Sequence, residues 1–431
     1  MSGGMLVVGA GTAGVQVAAS LREYRYTGPV TLAGDEHEAP YHRPPLSKSV
    51  LLDHAGGPGA PGPLALRPEG FYQENDIELR LGDPVLGVEF DGPGSSSGRA
   101  VTAAGQTLAF DGLALATGAE PRRLGVPGED LANVLRLRRA GDGARLAAAL
   151  RASRRLCVVG AGFIGLEVAA AARRLGVDTQ VVEVADRALA RLCAPPTAEH
   201  LVRRHRRSGV RFTFGAAVTE FTGDGAVRGA VLDDGSTIDC DLVVVGVGAV
   251  PRTDLARAIG LDCGPGIVVD RRARTSRPGT VAAGDCTLRP APLTGSRDLG
   301  EPGTRVRIES VHNATAQAKA AAASLLGAEV PGGEEVPWFW SDQGDAKLQI
   351  AGLSAGHDQY VLRGEPDSGR FSVLYYRDGR LIACDAVNNP RDFTAVRRAL
   401  ARGANLPPSA VHDVSAGLGD LLRVAVERSP S

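Results

Sequence analysis

No cysteine precedes Cys157, and the six present (Cys157, Cys193, Cys240, Cys263, Cys286, Cys384) show neither a C-x-x-C pair nor metal-ligand spacing. A bound metal and a closely spaced dithiol are therefore not expected, and the thiols read as small buried hydrophobes of a reducing compartment. Aromatics make up only 4% of the 431 residues. Lysine occurs only at Lys48, Lys319 and Lys347 among 48 basic side chains, so arginine is the default cation and a lysine hints at a chemical choice. No apolar run approaches the length that spans a bilayer, which argues against a membrane partner. The first strand begins almost at once, leaving no room for a signal peptide, and a cytoplasmic location is expected. A net charge of −1 argues against bulk nucleic-acid binding, and Arg203-Arg204-His205-Arg206-Arg207 reads as a solvated helix face.

Glycine, by contrast, is abundant, and two groups of glycines share one design. Gly9-Ala10-Gly11-Thr12-Ala13-Gly14 and Gly160-Ala161-Gly162-Phe163-Ile164-Gly165 each follow a β-branched run and open an Ala-rich helical stretch. In such a turn the first glycine permits the tight bend and the second lets the backbone approach a diphosphate. The third lets helix and strand pack closely. Two copies imply two dinucleotides, and a protein holding two usually passes electrons between them. A flavoprotein that takes hydride from a nicotinamide is the leading reading.

The alternation of apolar runs predicts a strand over 5–8, a helix over 13–23 and a strand over 30–33, and the same plan again over 156–159, 165–175 and 179–182. Further strands are expected at 113–115 and 242–247, and a helix at 313–326. Segments 55–63 and 91–98 read as mobile surface insertions, 121–127 as a linker, and Pro331-Gly332-Gly333 as a boundary. Beyond it, alternation predicts antiparallel strands at 347–351, 359–362, 371–376 and 381–386, closed by a helix over 393–401. The fold class is α/β, with two Rossmann-like dinucleotide-binding domains and a C-terminal α+β domain. The first domain (1–122) resumes (249–330) after the second (123–248), and the third occupies 331–431.

Asp35 lies about 20 residues past the first glycines, where an acid accepts hydrogen bonds from adenosine ribose hydroxyls. Glu183 holds the matching place in the second unit and predicts NADH over NADPH, since a 2′-phosphate beside it would meet like charge. Arg187 and Arg191 could support a phosphate or simply lie along the adenosine. Asp285 follows a small-residue strand and opens toward a possible helix, as a ribityl ligand or as an N-cap or turn aspartate. The proline-rich stretch 39–48 reads as a shaped loop ending in Lys48. Lys48 and Glu167 are the candidate catalytic pair: a lysine near the flavin would stabilise negative charge on the reduced ring, with a carboxylate holding it. Glu167, expected on the first turn of its helix, could equally be a favourable N-terminal charge. Trp338 and Trp340 share one side of a strand, as core or as cover for the flavin.

Several motifs together resemble the FAD-dependent, NADH-linked ferredoxin reductases of oxygenase and cytochrome P450 systems. They are the first fingerprint, Pro40-Tyr41-His42-Arg43-Pro44-Pro45-Leu46-Ser47-Lys48, Ala116-Thr117-Gly118, Gly160 to Glu167, Ala283-Gly284-Asp285-Cys286, Val306-Arg307-Ile308-Glu309-Ser310 and Pro337-Trp338-Phe339-Trp340-Ser341-Asp342-Gln343. The resemblance implies FAD on Gly9, Gly11, Thr12, Ala13, Gly14, Asp35, Lys48, Val85, Thr117, Gly118, Arg138, Gly284, Asp285 and Val306. It implies NADH on Gly160, Gly162, Phe163, Ile164, Gly165, Glu167, Glu183 and Arg191, with Trp340 bordering the site. The implied partner is an iron–sulfur ferredoxin serving a cytochrome P450 or Rieske-type oxygenase, received in part by the third domain of a monomer or weak dimer. The chain departs from the pattern at Pro251-Arg252, where relatives often have Pro-Asn, and in longer segments at 55–63 and 289–304. A disulfide reductase would need cysteine near the first fingerprint. An NADH oxidase, a quinone or small-molecule reductase, and an apoptosis-inducing-factor-like signalling flavoprotein remain alternatives.

Overall fold

The computed structural model describes residues 3–53, 64–294, 297–298, 303–329, 335–412, 414 and 416–427. The expected insertion at 55–63 and boundary at 331–333 lie outside the described residues, as does part of the 289–304 segment.

Strand Met5–Val8 forms the middle of a five-stranded parallel sheet. Val30–Ala33 and Ile77–Arg80 lie to one side, Gly112–Leu115 and Thr280–Ala282 to the other. Its strands are apolar nearly throughout because both faces are covered. Helices Thr12–Glu23 and Val311–Leu325 pack together on one face, their contact lined by alanines such as Ala18, Ala318 and Ala321 that let the backbones come close. A second parallel sheet repeats the plan in the order Arg211–Phe214, Asp178–Glu183, Arg155–Val159, Leu242–Val245, Val134–Leu135. Helix Phe163–Arg174 follows its central strand.

The chain crosses between the two units twice, and the crossings pair: Ala119–Pro121 runs antiparallel to Ala249–Pro251. The stretch read as a plain linker thus starts in a two-stranded ribbon. Each parallel sheet also has an antiparallel three-stranded companion: Val85–Phe90 with Gly98–Thr102 and Thr107–Phe110, and Val218–Asp224 with Ala226–Leu232 and Thr237–Asp239. Segment 91–98 is therefore a hairpin connection, not a loose insertion. The Arg277 guanidinium anchors it, 3.6 Å over the Phe90 ring and bonded to the Gly92 and Ser95 carbonyls.

The C-terminal sheet is antiparallel, ordered Trp338–Gln343, Ala346–Gly352, Arg380–Val387, Arg370–Arg377, Gln359–Glu365. Helices Pro390–Ala401 and Leu418–Glu427 cover one face through Phe393, Val396, Leu400 and Leu422. Leu348, Phe371, Val373 and Tyr375 turn the other way and join the core of the second nucleotide unit, against Leu201 of helix Pro195–Arg207. Arg204 of that helix is not simply a solvated basic residue: it pairs with Asp345, and buried His205 bonds Gln343 at 3.0 Å.

Candidate functional site

Both glycine turns are shaped for a ligand. Gly9 (φ +113°) and Gly160 (φ +103°) occupy backbone conformations that side chains rarely adopt. A Cβ on Gly14 would lie 1.8 Å from the Gly9 carbonyl oxygen, and one on Gly165 would lie 2.1 Å from that of Gly160. Gly11 and Gly162 instead face open space, with nothing within 4 Å of where a Cβ would lie. They are also the N-cap residues of their helices, with no side-chain cap and no acid in the first turn. Each helix thus begins with amide donors left for an anion, beside a gap that only glycine leaves clear, and a dinucleotide diphosphate fits both places. Thr12 and Ala13 open the first helix, Phe163 and Ile164 the second; Ile164 is 47% exposed.

Lys48 and Glu167, distant in sequence, meet. Lys48 Nζ lies 2.8 Å from Glu167 Oε2 and 3.2 Å from the Pro44 carbonyl oxygen. The proline-rich loop achieves this by closing into a short 3-10 turn, Pro44–Ser47, where proline's fixed φ suits the first positions. The expectation of pure loop is corrected to that extent. Glu167 lies on the second turn of helix Phe163–Arg174 and not the first, because the helix starts at Phe163. The charge is therefore too deep for a simple N-terminal role. It is 4% exposed, and two hydroxyls complete its shell: Ser47 Oγ donates to Oε2 and Ser341 Oγ to Oε1, each at 2.5 Å. Gln343 Nε2 donates to Ser341 Oγ (2.8 Å) and to the Phe163 carbonyl (3.3 Å).

One carboxylate thus ties together the proline loop, the second nucleotide helix and the C-terminal sheet. Ser47, Ser341 and Gln343 were missed as site residues, although they stand inside the two most distinctive motifs. Phe339 packs on Phe163 at 4.7 Å between ring centroids, and Trp340, half-buried, lies 5.5 Å from Trp338. Trp338 stacks between Phe393 of helix Pro390–Ala401 and His312 of helix Val311–Leu325, so it packs the C-terminal sheet against both.

The acids around the first sheet are differently engaged. Asp35 follows strand Val30–Ala33 as expected, and its Oδ2 takes Arg139 at 2.7 Å and Arg252 at 2.9 Å. Burial opposes its charge, but Arg252 and then Arg139 hold its carboxyl below the usual carboxylate range. Asp285 sits in a turn that leads into strand Thr287–Pro290, not into a helix, so it is a turn aspartate and not an N-cap. Arg138 Nη2 is 3.4 Å from it and also crowds Gly118, whose φ of +70° needs glycine. Gly284 (φ +85°) leaves room for Ala13 of the first nucleotide helix. Thr117 Oγ1 donates to the Arg252 carbonyl at 2.7 Å. Val85 begins its strand, and Val306 pairs with Arg289; both are half-buried. Burial pushes the Glu309 carboxyl up, and Arg307 pairs with it.

In the second unit Glu183 ends its strand beside the glycine turn. It accepts from Ala161 N at 2.7 Å and from Ala185 N at 2.9 Å. Arg187 is spent on the carbonyls of Ala188, Ala190 and Cys193, whereas Arg191 is exposed.

Residues 4–318 match the family model of the pyridine nucleotide-disulphide oxidoreductases, and residues 338–422 that of the reductase C-terminal domain. Rhodocoxin reductase of Rhodococcus erythropolis is 41% identical over 410 residues, which covers 95% of this chain and 92% of that protein. The ferredoxin reductase of the CYP199A2 system of Rhodopseudomonas palustris superposes with a TM-score of 0.89 at 41% identity, over 98% of this chain and 99% of that one. Putidaredoxin reductase, solved in covalent complex with putidaredoxin, gives a TM-score of 0.90 at 35% identity over 99% of each chain.

Proposed function

The chain belongs to the pyridine nucleotide-disulphide oxidoreductase family, and from that premise we propose that it passes electrons from NADH through FAD to an iron–sulfur ferredoxin. That ferredoxin would serve a cytochrome P450, as the CYP199A2 system of one relative suggests, or a Rieske-type oxygenase. Bound FAD supplies the conversion of one two-electron hydride donation into two single-electron deliveries. We assign 1–122 and 249–330 to FAD, 123–248 to NADH and 331–431 to the partner face, and we place the protein in the cytoplasm on its six free cysteines.

The observation that carries this reading is the Lys48–Glu167 pair, a half-buried lysine on a buried carboxylate, drawn from the loop behind the first fingerprint and the helix behind the second. In a disulfide reductase, cysteines near the first fingerprint would accept the electrons, and this chain has none there. What its residues do instead is hold charge and exclude water. Gly11 and Gly162 admit the two diphosphates, Glu167 fixes the lysine ammonium, and Phe163, Phe339 and Trp340 close the apolar side. The test is NADH-dependent reduction of a panel of iron–sulfur ferredoxins, with dioxygen and quinones as controls. Rapid turnover with at least one ferredoxin is expected; turnover with oxygen or quinone alone would refute the proposal.

Glu183 supports a second expectation. Its carboxylate, held in place by two backbone amides, would face a 2′-phosphate with like charge. The kcat/KM for NADH should exceed that for NADPH by at least about tenfold, equivalent to about 1.4 kcal/mol. Glu183→Ala should narrow the ratio, and a wild-type preference for NADPH would contradict this use of Glu183.

A further inference from the structure

We propose that Arg139 and Arg252 are positioning residues of the FAD site, clamping Asp35 so that its Oδ1 is presented to the adenosine ribose hydroxyls. The inference rests on Asp35 being the ribose acceptor.

Both guanidinium groups converge on one oxygen, Oδ2, and neither engages Oδ1. They come from remote segments, and the backbone of each is fixed. Arg139 is the N-cap of helix Ala140–Ala152, its amide held by Asp142 Oδ2 at 2.8 Å. Arg252 follows the return crossing strand; its amide donates to the Gly118 carbonyl at 3.0 Å and its carbonyl accepts from Thr117 Oγ1. Arg252 also reaches Glu120 on the outgoing strand at 3.3 Å. The neighbouring acid, Glu36, is already taken by the Tyr41 hydroxyl at 2.5 Å and by Arg43 at 2.6 Å. Asp35 is thus the acid left with an oxygen to offer.

Such partly exposed pairs add little to folding stability by themselves. Their value lies in preorganisation: a carboxylate already held in one orientation gives up no rotamer freedom when a hydroxyl arrives. The arginine that replaces the asparagine common after this proline thereby gains a role. It links the joint between the two nucleotide units to the adenosine end of FAD.

The experiment follows release of FAD from diluted holoenzyme by the rise in flavin fluorescence. Arg252→Asn and Arg139→Ala should each speed release roughly tenfold, Asp35→Asn should do the same, and Arg252→Lys should restore most of the retention. Adding Arg252→Asn to Asp35→Asn should change little further, because contacts within one network are not additive. Unchanged release in the single variants, or an Arg252→Asn effect as large without the Asp35 carboxylate as with it, would overturn the clamp. Unchanged release in Asp35→Asn alone would overturn the assignment of Asp35 on which the clamp rests.

Discussion

Lys48→Met is expected to slow NADH-driven bleaching of the flavin band by about a hundredfold while FAD stays bound, the size seen when one preorganised electrostatic partner is removed. Two consequences of the geometry combine. Our reading puts the Lys48 ammonium beside the isoalloxazine, where negative charge develops on reduction, and methionine keeps the length of the side chain without the charge. The substitution also strands Glu167, a carboxylate 4% exposed, with only the Ser47 and Ser341 hydroxyls for company. Leaving a buried carboxylate without its cation is destabilising, here by at most about 3 kcal/mol because the lysine side of the pair is partly exposed to water. That stranded negative charge would itself oppose the arrival of electrons. The double variant Lys48→Met/Glu167→Gln separates the two effects: thermal stability should recover, while reduction stays slow. Stopped-flow absorbance reads the rate, and a single variant that is reduced as fast as wild type would remove Lys48 from the mechanism.

The fold is most legible in the sequence where local chemistry is periodic or punctuated. The glycine turns, the strands Met5–Val8 and Val30–Ala33, and the four strands behind 346 follow from alternation and from φ-positive glycines that no tertiary contact needs to override. The small antiparallel companions escaped because their exposed faces, as in Val85–Phe90 and Val218–Asp224, dilute the apolar signal with Glu89, Glu220 and glycines. At the site, Lys48 and Glu167 were legible as a pair through rarity of lysine and motif resemblance. Ser47 and Ser341 were not, since a hydroxyl carries no pattern until a carboxylate from another domain arrives. Arg252 was legible only as a departure from the pattern. Its partner lies 217 positions away, a separation over which no local rule operates.

Asp385→Asn should stabilise the protein, increasingly so as pH rises. Asp385 sits on strand Arg380–Val387, fully buried where the C-terminal sheet meets the second nucleotide unit. The Tyr375 hydroxyl donates to its Oδ2 and accepts from Ala194 N at 2.7 Å, while Oδ1, near Thr197 and Cys193, lacks a well-formed hydrogen bond. With no cation beside it, burial pushes the carboxyl up from its ordinary 3.8 to about 7. The folded chain therefore keeps this proton to a higher pH than the unfolded chain. The stability it contributes is complete below the unfolded value of 3.8, falls as pH climbs, and is lost above about 7. By linkage the full loss is about 4 kcal/mol, of which about 3 kcal/mol accrues between about pH 5 and about pH 8. An amide avoids the loss: its carbonyl can accept from Tyr375 and its NH2 can donate to Thr197. Thermal denaturation across that range should show the variant's advantage over wild type growing and then levelling off. Parallel curves would mean that Asp385 does not change charge in this range, and the joint between these two domains would then have no pH dependence of this origin.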